Sequence, residues 1–284
     1  MIEAALRPRG PYSLRLSTRL ASDATRIVRD GRLRAALVVD GRIEHTLAWQ
    51  RPDGVVCVSA DSAEAVDRVR FVLGLDDDHT PFLARFADDP LLGGTVRLLR
   101  GLRPIRLDTV AHALLRALCG QLIEARRART IEQRVVRAAT PERDGLHAPP
   151  DAAALGRFAP AQLRALGLGG PRASALVRLC RSLDLEKLRA APTEAAAQRL
   201  LRESQLGPWS VGVVCLQGLG RTDRGLVGDL GLVKLCSALR GRWVEAWETA
   251  ELLEPYGEWA GLASVYLLAG YAQGLVPISS AAAA

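Results

Sequence analysis

At 284 residues, 49% of them hydrophobic and 24% charged, the chain is long enough to bury a full core and to hold two domains. Its formal net charge of +7 fits a polyanionic partner. Five cysteines, at 57, 119, 180, 215 and 236, include no closely spaced pair, which excludes a disulfide scaffold and a cysteine-ligated cluster.

The cysteines sit among apolar residues and read as buried free thiols in a reducing compartment. The opening MIEAALRPRG lacks the apolar centre of a signal peptide. The stretch from Trp259 onward carries no charge, but Gly261, Gly270, Gln273, Gly274 and Pro277 interrupt it, so it reads as a buried helix rather than a membrane span. A cytoplasmic, nucleoid-associated monomer is expected. The basic residues are nearly all arginine; Lys187 and Lys234 are the two lysines.

Taken in order, residues 1–106 read as a mixed α/β domain. Tyr12 to Ser17 alternates as a strand does. Leu33–Val39 and Arg42–Trp49 are strands around Asp40-Gly41, a pair that favours a type I′ hairpin. Gly54–Ser59 supplies another strand. Asp61 or Ser62 caps a helix with Ala65, Val66, Val69 and Val72 on one face. Asp78 caps a short helix after an acidic run read as a solvated loop. His45 and His79 read as structural.

Residues 107–284 read as almost wholly helical. Asp108 or Thr109 caps a helix that breaks at Gly120. The next, roughly 124–139, carries Arg126, Arg127, Arg129, Arg134 and Arg137; a solvated face is expected, with one or two reaching phosphate. Gly167-Leu168-Gly169-Gly170 lacks the Lys-Ser/Thr of a phosphate loop and reads as a helix stop before a restart at Pro171. Further helices are expected near 193–203, 230–240, 243–254 and 259–273. Trp243 and Trp247 read as core aromatics.

The most informative stretch is residues 203–235. It reads as helix end, tight turn at Leu206-Gly207-Pro208, helix, glycine-rich loop, and a new helix opening at Asp229. Gly207 offers a positive φ for the turn, and Pro208 suits a first helical position. This run resembles the helix-hairpin-helix DNA glycosylases, whose wording is close to L-P-G-I-G-x-W-T-A followed about twenty residues later by an aspartate. Leu206, Gly207, Pro208, Trp209, Ser210 and Asp229 carry the match. The Trp after the hairpin is similar to the alkylpurine (3-methyladenine, type II) branch. Gln205 stands where the first hairpin glycine usually is, and Val227-Gly228 replaces a frequent Pro-Asp.

The resemblance implies an α+β fold: a small N-terminal antiparallel-sheet domain with helices (1–106), then an all-α core (107–284) with the hairpin at about 196–219. It implies base excision of alkylated purines from double-stranded DNA, with no cofactor beyond a monovalent cation at the hairpin carbonyls and no metal site. Asp229 is the implied catalytic carboxylate, compatible with a capping role. Trp209, Trp259 and Tyr256 are implied for the base pocket, since positively charged alkylated purines bind electron-rich rings. Gln205, Leu206, Gly207 and Ser210 are implied at the DNA backbone. ALCGQLIEARRA resembles a further family segment and adds Gln121 and Leu122; Leu122 reads equally as a wedge into the gap left by the extruded nucleotide or as a core leucine. Relatives that also cut the strand use a Lys where Trp209 stands, which implies base release without strand cleavage. A glycosylase for another damaged base, or a non-catalytic DNA-binding module, are the other readings.

Overall fold

The computed structural model describes residues 1–121 and 123–278. The N-terminal part is a five-stranded antiparallel sheet in the order β1-β5-β4-β3-β2, built from β1 (Ile2–Leu6), β2 (Arg26–Arg29), β3 (Arg32–Val39), β4 (Arg42–Gln50) and β5 (Val56–Ala60). Asp40 and Gly41 turn β3 into β4 with φ of 48° and 74°, the two positive values of a type I′ turn. The same dipeptide at Asp30-Gly31, with φ of 49° and 72°, turns β2 into β3. It recurs at Asp144-Gly145 in the small hairpin Glu142–Arg143/Leu146–His147.

The strand expected over Tyr12 to Ser17 is instead the helix α1 (Leu14–Thr18). Ser13 Oγ accepts from the Leu16 N–H, and Leu14 and Thr18, one helical turn apart, are the buried pair. Edge strand β1 lies earlier, at Ile2–Leu6. Helix α2 (Ala63–Val72) lays Ala65, Val66 and Val69 on the sheet residues Leu33, Leu37, Val56 and Val58. Ser62 is its cap, while Asp61 accepts from the His45 N–H.

Helices fill most of the rest: α3 (Thr80–Arg85), α4 (Gly93–Leu98), α5 (Val110–Gly120), α6 (Ala125–Ala139), α7 (Ala152–Gly156), α8 (Pro160–Ala165), α9 (Gly170–Ser182), α10 (Thr193–Leu201), α11 (Pro208–Val213), α12 (Leu230–Arg240), α13 (Thr249–Leu253) and α14 (Ala260–Ala272). Helix α5, capped by Thr109, is buried along nearly its whole length because other helices pack around it. Phe82, Phe86, Leu92 and Val96 of α3 and α4 join this helical core rather than the sheet.

Buried arginines staple the sheet to the helices through backbone carbonyls. Arg103 donates to the Arg9, Pro11 and Gly74 carbonyls, and Arg189 to those of Leu107, Asp108 and Gly218. Arg106 binds Asp77 and lies over Phe71. A guanidinium has five donors in a fixed fork, so one side chain can satisfy several carbonyls that a sheet–helix junction would otherwise leave unpaired.

Residues 243–254, expected as one helix, form a single 3-10 turn (Ala246–Glu248) followed by α13. Trp243 and Trp247 are not core residues: they are 63% and 65% exposed. The apolar anchor of this segment is Val244, fully buried against Val233 and Cys236. Among the described residues no helix is long and apolar enough to cross a membrane.

Candidate active site

Three pieces of chain meet at the candidate site: the end of α5, the start of α11, and the loop that enters α12. After α10 the chain turns back through residues 202–207, with the Glu203 N–H on the Leu200 carbonyl and the Leu206 N–H on the Glu203 carbonyl. Leu206 is buried and holds the turn to the core. Gly207 has φ −88° and ψ 179°, extended backbone open to any residue. The expected positive φ is therefore not used; the two backbone hydrogen bonds close the turn without it. Pro208 occupies the first helical position, and the first intrahelical bond runs from Val211 to the Gly207 carbonyl. The Trp209 and Ser210 N–H groups precede it, so the helix supplies them no acceptor.

Gln121, just past α5, fastens this turn. Its Nε2 donates to the Gln205 carbonyl at 2.7 Å and to Ser210 Oγ at 2.8 Å. Gln121 is itself positioned by Arg172, whose Nη1 donates to the Gln121 carbonyl at 2.9 Å. A guanidinium at the C-terminal end of α5 also suits the negative pole of the helix. Leu122, the expected wedge, lies outside the described residues.

Helix α11 runs on as a π-helical turn, Val214–Leu219, and ends at Gly220 in the left-handed conformation. The loop that follows enters α12 through a second left-handed glycine, Gly228, with φ +88°. Asp229 caps α12: its Oδ1 accepts from the Gly231 N–H at 2.8 Å. Its Oδ2 accepts from the Trp209 indole N–H at 2.9 Å. Each carboxylate oxygen thus has one donor and one lone pair left over. The far edge of the Trp209 ring rests on Gly120, where an added Cβ would lie 2.5 Å from Cη2. The sequence pattern flagged Gly120 only as a helix end; contact with Trp209 is what makes a side chain there intolerable. Gly120→Ala is expected to push the indole off Asp229 and lower activity about tenfold, the worth of one hydrogen bond to a charged group. A rate assay beside a thermal melt separates this from unfolding.

The other two implied pocket aromatics stand elsewhere. Trp259 precedes α14 and packs with Phe82 at 5.8 Å and His79 at 6.4 Å between ring centroids. Tyr256 is 2% exposed, stacks edge-on against Phe86 and donates its hydroxyl to Asp89. The residue of α14 that reaches the Asp229 turn is Leu268, whose Cδ2 would lie 2.4 Å from a Cβ on Gly231. Nine residues of helix separate Leu268 from Trp259, about 13 Å. Lys234 is exposed on α12, and Lys187 pairs with Asp184 at 3.1 Å.

Beneath the site lies a buried charge network. Arg116 of α5 binds Glu132 of α6 through Nε and Nη2 and Asp23 through Nη2 at 2.7 Å. His112 Nε2 meets Glu132 at 2.8 Å, and Arg26 pairs with Asp23 at 3.2 Å. Burial alone would push the Glu132 carboxyl up; Arg116 and His112 outweigh it and hold it at about 2. Asp23, His112 and Glu132 converge as a metal-ligand set would. However, the Arg116 guanidinium bonds both carboxylates and supplies their counter-charge, so the donor set does not fit a cation. The network fixes α5, and with it Gly120 and Gln121, against α6 and the sheet.

No family model matches the chain. It is 26% identical over 215 residues to a DNA-3-methyladenine glycosylase of Bacillus subtilis, which covers 72% of this chain and 71% of that protein. The fold is similar to the 3-methyladenine DNA-glycosylase of Archaeoglobus fulgidus, with a TM-score of 0.79 and 22% identity over 96% of this chain and 99% of the other. It is also similar to the Clostridium acetobutylicum 8-oxoguanine glycosylase/lyase in complex with double-stranded DNA, with a TM-score of 0.77 and 16% identity over 97% and 99% of the two chains.

Proposed function

We infer, for a chain that belongs to the helix-hairpin-helix DNA glycosylases with its sequence relative on the alkylpurine side, that it hydrolyses the N-glycosidic bond of alkylated purines in double-stranded DNA. The observation that carries this reading is the Asp229 carboxylate held 2.9 Å from the indole of Trp209, at the entry of the hairpin's second helix. The target base must leave the duplex before its bond to the sugar is reached, at a cost of a few kcal/mol. The N–H groups of Trp209 and Ser210 at the start of α11 suit a backbone phosphate. Contacts to phosphate carry no sequence, as repair at any position requires.

Cleavage of the C1′–N bond builds positive charge on the deoxyribose. A carboxylate fixed before the reaction stabilises that charge without reorganising. The Trp209 and Gly231 N–H groups fix Asp229 in this way, and its free lone pairs are left for the sugar and for an attacking water. An N3- or N7-alkylated purine is already cationic and leaves as a neutral base, so the site needs no strong general acid.

The pairing of Trp209 with Asp229 also supports base release without strand cleavage, because the strand-cutting relatives use a lysine amine at that position. Methylated duplex DNA incubated with the protein is expected to release free methylpurine, and borohydride trapping is expected to give no protein–DNA adduct. An abundant adduct would contradict the monofunctional reading. Bound DNA without any released base would contradict the enzyme reading as a whole.

A further inference from the structure

We propose that Trp247 supplies the aromatic face that receives the alkylated base beside Asp229. The inference rests on the glycosylase reading above and names a residue outside every segment that carries the family resemblance. A cationic purine needs an electron-rich ring near the carboxylate. Trp259 and Tyr256 are packed into the aromatic cluster around Phe82 and Phe86. Trp209 is committed through its N–H to Asp229 and through its ring edge to Gly120.

Trp247 is 65% exposed, yet the segment that bears it is tied directly to the Asp229 turn. Thr249 Oγ1 accepts from the Gly228 N–H at 2.8 Å and donates to the Ala246 carbonyl at 2.7 Å. A Cβ placed on Gly228 would lie 3.6 Å from Ala246 Cβ. Trp247 therefore follows the residue that touches Gly228, and Asp229 follows Gly228. Glu248 locks the next position: it accepts from Arg240, Arg242 and the Glu245 N–H. An indole left in water on a segment held this firmly has lost nothing further in ordering when a flat ligand arrives. Its face attracts a cation through the ring quadrupole, more strongly when the ligand is desolvated.

Trp243 provides a control within the same segment. It is 63% exposed, but the adjacent Val244 N–H bonds Ser237 Oγ, eight residues along α12 from Asp229 and about 12 Å down the helix. The two tryptophans share exposure and differ in distance from the carboxylate.

The test is single-turnover release of 7-methylguanine from a duplex carrying one such base. Trp247→Ala is expected to slow release about tenfold. Trp247→Phe should retain most of the rate, because a ring face remains, and Trp243→Ala should match the wild type. Melting temperature and affinity for undamaged duplex should be the same in all three variants. The proposal is overturned if Trp247→Ala releases base at the wild-type rate, or if Trp243→Ala slows it equally. It is also overturned if Trp247→Ala loses undamaged duplex to the same extent, which marks a backbone contact, or changes the sedimentation of the protein, which marks a contact between copies. Release by the wild type with no effect of Trp247→Ala removes this assignment alone; no release by the wild type removes the glycosylase reading with it.

Discussion

Replacing Asp229 with Asn is expected to slow base release by about 10²- to 10³-fold while leaving affinity for duplex DNA within about twofold. Asparagine keeps an oxygen for the Trp209 indole and for the Gly231 N–H, so the cap and the loop should persist. What it removes is the negative charge. A preorganised charge acts on the transition state, where the sugar is cationic, and hardly at all on the bound duplex, so the loss belongs in the rate and not in binding. Rates at saturating enzyme and binding to an undamaged duplex separate the two. A variant as fast as the wild type would leave Asp229 as a helix cap alone.

Arg116→Ala is expected to cost about 3 to 5 kcal/mol of stability, read from denaturant midpoints. The substitution strips two buried carboxylates, Asp23 and Glu132, of their shared counter-charge. Breaking a buried pair on one side costs far more than forming it gains, because the abandoned charges stay out of water. A domain whose net stability is about 5 to 15 kcal/mol feels that loss strongly. The same network sets an acid limit. Glu132 ordinarily titrates at 4.5 and is held at about 2 in the folded protein, so its contribution is complete above 4.5 and fades as pH falls from 4.5 toward 2. Asp23, held well below the usual carboxylate range against its burial by Arg26 and Arg116, adds in the same direction. The wild type should lose stability across that interval, and Arg116→Ala should show a shallower dependence. A loss below about 1 kcal/mol on substitution would mean that water already screens the network.

How far the sequence reaches differs from feature to feature, for physical reasons. Asp40-Gly41 is decided by the backbone of two residues, and its turn was readable from them alone. The order of helices followed from caps and apolar spacing, and Thr109, Asp151 and Asp229 do cap the helices they precede. The alternation at Tyr12 to Ser17 misled because Leu14 and Thr18 satisfy a helical spacing equally well and Ser13 supplies the cap. Gly207 misled in another way: glycine permits a positive φ but does not require one.

The candidate site was legible where chemistry and spacing coincide. A Trp and an Asp twenty positions apart are joined by a hydrogen bond that neither residue alone announces. Gln121 was readable as a partner of the hairpin, but its anchoring by Arg172 depends on α9 lying against the end of α5, a long-range contact. Burial of aromatics was least legible. Composition makes every Trp a core candidate, yet the small anchor Val244 is buried and its large neighbours Trp243 and Trp247 are left outside. Which aromatic faces the carboxylate is decided by the Gly228–Thr249 hydrogen bond, between residues twenty-one positions apart.

The most direct test follows a duplex bearing a single 7-methylguanine through one turnover with the wild-type protein, measuring free base and strand integrity in the same sample. The account predicts free 7-methylguanine in step with an equal amount of uncut abasic strand. Duplex that stays bound while no free base appears, or strand breaks that keep pace with base release, would contradict it.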